Sequence, residues 1–220
     1  MGYNKGVNRS SATSGAPSER VRSRVIQSTQ RLLAEEGLGI SMDQIAASAG
    51  VGRRSLFRHF GSRDALIARA LEEAVSASGE RLAALLSADA PLGDWLAGVL
   101  CEVQRSQLEA GRGYWELTAS SDDQLSPQLA AVNRDRRASR RRWAEDVSRR
   151  AWSLAGGEDP PPDVVIEAFA LTLSRHAVRS LVEEFGLPPE RAVKTNAAML
   201  TALIQAEQQR LAVRSEERPR

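Results

Sequence analysis

Apolar positions recur every three or four residues along most of the chain, and no stretch alternates long enough to suggest a strand. Val21, Val25, Thr29, Leu32 and Leu33 form a stripe that predicts a helix from about Ser18. Gly37 stops it, and Leu38 can fold back onto the stripe. Ser41 is a good N-cap for the next segment, and Gln44, three residues on, completes a capping box. Ile45, Ala46 and Ala49 give that short helix an apolar face before Gly50 ends it, and Val51 can plug the following turn. A second short helix opens at Arg53, carries Leu56 and Phe60 four apart, and closes at Gly61. Two short helices about a tight glycine-containing turn make a helix-turn-helix pattern, whose second helix enters the major groove of DNA.

The pattern stays helical to the end. Ser62 caps a long helix whose period runs from Leu66 through Leu86 until Ala90-Pro91 breaks it. About 23 residues at 1.5 Å each span ~35 Å, enough to leave one layer and reach the next. Asp94 to about Ala110 carries Trp95, Leu96, Val99, Leu100 and Val103 on one face. Gly111 and Gly113 then loosen the chain before a short segment from Tyr114 to Ala119. Ser126-Pro127 opens a helix to about Leu154, and GGEDPPP at 156–162 reads as a loop. Two final helices are expected, Asp163 to Phe185 and Pro189 to about Arg214. Residues 1–17 and 215–220 read as a mobile arm and a tail, with residues 18–62 and 63–214 as the two folded units.

Charge sharpens this division. Residues 1–70 carry 11 Lys and Arg against 5 Asp and Glu, a net of +6, whereas the remainder carries 19 against 23, a net of −4. A basic front end on a mildly acidic body suits a head that binds a polyanion. Ala, Leu, Arg and Glu dominate, which favours helices. The sole cysteine, Cys101, rules out an internal disulfide, fits a reducing cytosol, and sits on a face expected to be core. No apolar run approaches the ~18 residues of a membrane span, so no membrane partner is expected and the location is read as cytoplasmic.

On the second short helix Leu56 and Phe60 share the buried face, which turns Arg54, Ser55 and Arg58 outward. Arginine can read guanine bidentately or clamp phosphate, so this face can do both. The stretch IAASAGVGRRSLFRHFGSRDAL resembles the signature of the TetR family of bacterial transcriptional regulators. Ser41, Ile45, Ala46, Ala49, Gly50, Val51, Leu56, Phe57, His59, Phe60, Ser62, Arg63 and Leu66 carry the match, over about the first third of the chain. Gly52, Arg54, Phe57 and Arg63 stand where the family often has Ser, Gly, Tyr and Lys, which changes contacts and hence the operator sequence. The resemblance implies an all-α protein: an N-terminal three-helix helix-turn-helix DNA-binding domain and a C-terminal helical bundle for ligand binding and dimerisation. It implies base reading by Arg54, Ser55 and Arg58, and backbone positioning by Ser41, Arg53, Phe57, His59 and Arg63.

The C-terminal half offers no catalytic constellation: no P-loop, no GxSxG elbow and no strand to hold a GxGxxG turn. His59 and His176 lie in different domains without metal-ligand company, so neither enzyme, cofactor nor metal is expected, and His176 reads as a core residue. Aromatics gather here instead and can enclose an apolar cavity. The resemblance implies that such a cavity takes a small effector, with Trp95, Val99, Val103 and Tyr114 as lining candidates, and Trp115, Trp143, Phe169 and His176 beside them. A homodimer would present two reading helices to a pseudo-palindrome, with Val165, Phe169, Leu173, Leu200 and Ile204 as interface candidates. The resulting expectation is a repressor released from its operator by an effector. The alternative is an interaction or ligand-carrier protein of the same fold that does not read DNA.

Overall fold

The structure is a computed structural model that describes residues 15–158 and 160–216, with helices and no strand among them. Lys5, Arg9 and the rest of the expected arm as far as residue 14 lie outside the described residues, as do residues 217–220.

Helix α1 (Gly15–Glu36) begins three residues before Ser18, since Pro17 is tolerated in a first turn. Helices α2 (Met42–Ala49) and α3 (Arg53–Phe60) follow. The capping box forms as read: the Gln44 N–H donates to Ser41 Oγ at 3.2 Å and the Ser41 N–H to Gln44 Oε1 at 2.8 Å. Gly50 ends α2 at φ 62°, left-handed backbone that suits glycine. Helix α4 (Arg63–Leu86) starts from Ser62, whose hydroxyl accepts the Ala65 N–H. Its first turns bury Leu66, Ile67, Ala70 and Leu71 with Val25, Ile26, Ile45 and Leu56 in one core, while Leu82, Leu85 and Leu86 pack against a second. One rod of ~36 Å therefore joins both layers.

The second core is built by α5 (Leu92–Ala119), α6 (Pro127–Leu154), α7 (Asp163–Thr172) and α9 (Pro189–Glu216). Its centre holds Trp95, Leu96, Val99, Trp152, Val165, Phe169, Leu200 and Ile204. A single helix from Asp163 to Phe185 does not form. Ser174, buried, accepts the Ala177 N–H and restarts the chain as α8 (Arg175–Val178), which runs into one π turn (Arg179–Glu184). Ser-Arg-His was a helix start hidden inside an apolar period.

The expected interface residues need correction. Val165, Phe169, Leu173, Leu200 and Ile204 are all buried within the single chain, so they fill its own bundle and face no partner. The exposed large apolar side chains of the same helices are Val164, Leu171, Met199 and Val213. Cys101 also departs from expectation, standing exposed rather than in the core. Among the described residues no helix is long and apolar enough to cross a membrane.

Candidate nucleic-acid interface and interior cavity

Leu56 is 1% exposed and lies in the head's core, where α3 packs against α2 and α4, and this fixes what the helix shows to solvent. Arg54, Phe57, Arg58 and His59 are exposed, and Ser55 is half-buried with its hydroxyl 3.5 Å from the Arg58 guanidinium. Arg53 Nη1 donates to both carboxylate oxygens of Asp43, at 3.0 and 2.7 Å, and the guanidinium lies 5.5 Å over the Phe57 ring. Both partners are exposed, so this pair contributes little and can exchange for phosphate. Ser41 keeps its hydroxyl inside the α2 cap, donating to Gln44 Oε1 at 2.8 Å.

Arg63 does different work from the one expected of it. Its guanidinium donates to the backbone carbonyls of Leu38 and Ile40 and pairs with Asp64 at 2.7 Å. Those carbonyls belong to the turn between α1 and α2, so Arg63 fastens the head from inside.

A second fastening was missed by the sequence reading altogether. Gly111 has φ 59° and ψ −153°, which kinks α5, and a Cβ there would lie 2.5 Å from the Ala34 Cα. A Cβ on Gly113 would lie 2.9 Å from the Leu33 carbonyl oxygen. Two glycines thus let the end of α5 lie directly on the backbone of α1. Beyond the kink, Leu117 is fully buried in the head's core, and Glu116 accepts the Leu38 N–H at 2.6 Å. Burial pushes the Glu116 carboxyl up, but the Leu38 N–H and Arg112 together outweigh it and hold the group below its ordinary value. The signal for the crossing was present as Gly111 and Gly113; nothing in the spacing of Glu116 pointed at Leu38.

Between α4, α5, α6 and α8 lies a cavity of about 450 Å³. Of the expected lining residues it gathers Val103, Tyr114, Trp143 and His176. Trp95, Val99 and Phe169 are packed solid in the second core instead, with Trp95 Nε1 donating to the Leu85 carbonyl at 2.8 Å. Trp115 is half-buried outside the cavity, its ring 5.9 Å from that of His176 and tilted to it by 56°, and capped by the guanidiniums of Arg175 at 4.5 Å and Arg179 at 4.9 Å. His176 is therefore an exposed residue at the rim and not a core one. The apolar period could show which residues point inward, but not which of them leave a gap. It also missed the polar wall: Arg136, Arg140 and Arg175 line the same cavity.

No group of three or more His, Cys, Asp and Glu side chains suited to a metal occurs among the described residues.

The comparisons with known proteins agree with this geometry. The family model described as bacterial regulatory proteins, tetR family, matches residues 25–70, which span α1 to the first turns of α4. Among solved structures, the chain is similar to a tetR-family transcriptional regulator from Streptomyces coelicolor, at 18% identity and TM-score 0.67 over 89% of this chain and 86% of that one. A TetR/AcrR-family regulator from Thermobifida fusca shares 23% identity and a TM-score of 0.57, over 83% and 96% of the two chains. NalD, the secondary repressor of the MexAB-OprM multidrug efflux pump in Pseudomonas aeruginosa, shares 22% identity and a TM-score of 0.53, over 87% and 96%. At these identities the likeness shows the fold alone, over 83–89% of this chain. Among curated proteins none matches in sequence.

Proposed function

We propose that this chain, whose residues 25–70 match the model of the tetR family of bacterial regulatory proteins, is a cytoplasmic, homodimeric transcriptional repressor of that family. It holds a pseudo-palindromic DNA operator until a small molecule occupies the cavity.

The observation that carries this reading is α3, whose Arg54, Ser55 and Arg58 stand opposite a single buried anchor, Leu56. Such a helix offers guanidinium forks to base edges and phosphates. Arg53, Phe57 and His59 flank it and supply backbone contacts, with the Ser41-capped start of α2 behind. Arg63 is withdrawn from that set because its donors hold Leu38 and Ile40.

Release follows from the position of Tyr114. It lines the cavity three residues after the Gly111 kink, and two and three residues further on Glu116 and Leu117 hold the head. A ligand that moves Tyr114 displaces this clasp and with it α1, α4 and the spacing of the two reading helices. A preference of ~3 kcal/mol for the displaced state lowers DNA affinity about 150-fold.

The test is DNA binding across salt with the sequence flanking the protein's own gene, and with genomic fragments. Native protein should bind with a steep salt dependence, and Arg54→Ala/Arg58→Ala, which removes four arginines from a dimer, should lose ten-fold or more in affinity with a slope shallower by up to about four. Native protein that binds no fragment with salt dependence overturns the reading in favour of an interaction or carrier protein.

A further inference from the structure

Resting on the effector reading above, we propose that the cavity takes an amphipathic organic anion, its acid group held by Arg136, Arg140 and Arg175 and its apolar body against Trp143 and α4.

The argument begins with which charges in the wall already have partners. Glu73 pairs with Arg69 at 2.9 Å, and Glu109 with Arg105 at 3.0 Å. Arg81 is held by Glu102 at 2.6 Å. Every acidic side chain on the α4 and α5 side is thus already matched. Across the cavity the reverse holds: among the described residues Arg136, Arg140 and Arg175 make no salt bridge. Their hydrogen bonds go to neutral oxygens, Arg136 to Asn133 Oδ1 at 3.1 Å, Arg140 to the Ala170 carbonyl at 2.6 Å and Arg175 to the Gln107 carbonyl at 3.1 Å. The one carboxylate acting on Arg175 at longer range, Glu183, pairs with Arg179 at 3.4 Å.

These three cations converge. The guanidinium carbons of Arg136 and Arg175 lie 5.8 and 5.9 Å from the centre of the Tyr114 ring. Burial, then the Arg136 charge, holds Arg140 below the ordinary guanidinium range, and burial does the same to Arg175. Arg136 and Arg175 are half-buried and Arg140 is exposed; like charges gathered without a counterion, even partly desolvated, are costly, and an anion entering among them relieves the cost. Guanidinium forks suit a carboxylate or related oxyanion, which they can grip bidentately. Beside the neutralised pairs, apolar side chains line the chamber: Leu71, Ala74 and Leu82 from α4, Val103 from α5, and Trp143 and Val147 from α6. A volume of about 450 Å³ falls within the range of small-molecule sites, and one corner of unmatched charge fixes a ligand's orientation. The charged corner includes Tyr114, the residue from which release is argued.

Two fluorescent probes of the same shape test this: 8-anilinonaphthalene-1-sulfonate, and N-phenyl-1-naphthylamine, which lacks the acid group. The anion should bind the full-length protein about ten-fold or more tighter than its neutral counterpart. Arg136→Gln/Arg140→Gln, and separately Arg175→Gln, should erase that difference while leaving the neutral probe within about two-fold. Val103→Trp, which fills the chamber, should exclude both, and circular dichroism melts confirm that each variant folds. Equal binding of the two probes, or an anion affinity that neither arginine variant changes, overturns the inference. Operator binding, measured separately, keeps the two readings apart. Arginine-dependent binding that leaves the DNA complex intact upholds the anion site and removes the release mechanism.

Discussion

Arg63 donates to the carbonyls of Leu38 and Ile40, whereas Arg58, five residues earlier, projects from α3 with Ser55 Oγ 3.5 Å away. The two arginines should therefore separate by experiment. Arg63→Ala leaves two backbone acceptors without their charged donor and should cost about 1–3 kcal/mol of stability, read as a lower melting temperature. Arg58→Ala should leave melting unchanged within about 0.5 kcal/mol and weaken DNA binding instead. Glu116 adds a pH dependence. Its folded carboxyl titrates below the ordinary value, so its contribution is complete above the unfolded pKa of about 4.3 and fades as pH falls through the folded one. Melting measured from pH 7 down to 3 should fall in acid, and Glu116→Gln should lower the neutral value and shrink the acid loss. Residue roles of this kind were legible only where the partner is local. The Ser41 and Gln44 box was readable because its atoms lie three residues apart. The Glu116 bond to Leu38 spans 78 residues, and Arg63 reaches back 25 to Leu38, so no spacing rule encodes either.

At the scale of elements, periodicity read the helices well and their interruptions poorly. Helices α2, α3, α4 and α6 begin at Ser41, Gly52, Ser62 and Ser126 caps, each followed directly by a helical period. The break at Leu173-Ser174 escaped because Ser174 sits within a stripe that remains apolar on both sides, and burial of that stripe tolerates a turn. Gly111 was read as a loosening of the chain; the structure makes it a crossing point. Alanine there meets two penalties, the positive φ and the backbone of α1. Gly111→Ala should cost at least ~2 kcal/mol and lower the melting temperature by roughly 4–8 °C. Gly113→Ala, with ordinary helical backbone but a close carbonyl, should cost less. An equal or smaller effect at Gly111 would mean that α5 can leave α1 without loss, and the clasp would then transmit nothing.

For the whole molecule, the misassigned interface shows what an apolar stripe can and cannot say. Val165, Phe169, Leu173, Leu200 and Ile204 sit at helical spacing on the last helices, and the apolar stripe of a bundle helix is the one its own chain buries. A partner surface on these helices has to be sought among what remains: Leu171 at 67% exposed and Met199 at 59%, with Val164 and Val213 also exposed. Exposed large apolar side chains on two helices of one bundle are the feature that a second copy would cover. Leu171→Glu/Met199→Glu should therefore shift the protein from dimer to monomer in analytical ultracentrifugation while its helical content and melting hold. Each monomer would then carry one reading helix, so the salt dependence of DNA binding should fall to about half its native slope, because half the phosphates are contacted. A variant that stays dimeric would place the interface elsewhere on the bundle. One that becomes monomeric yet keeps the full slope would show that a single head supplies all the phosphate contacts, and the two-headed operator reading would fall with it.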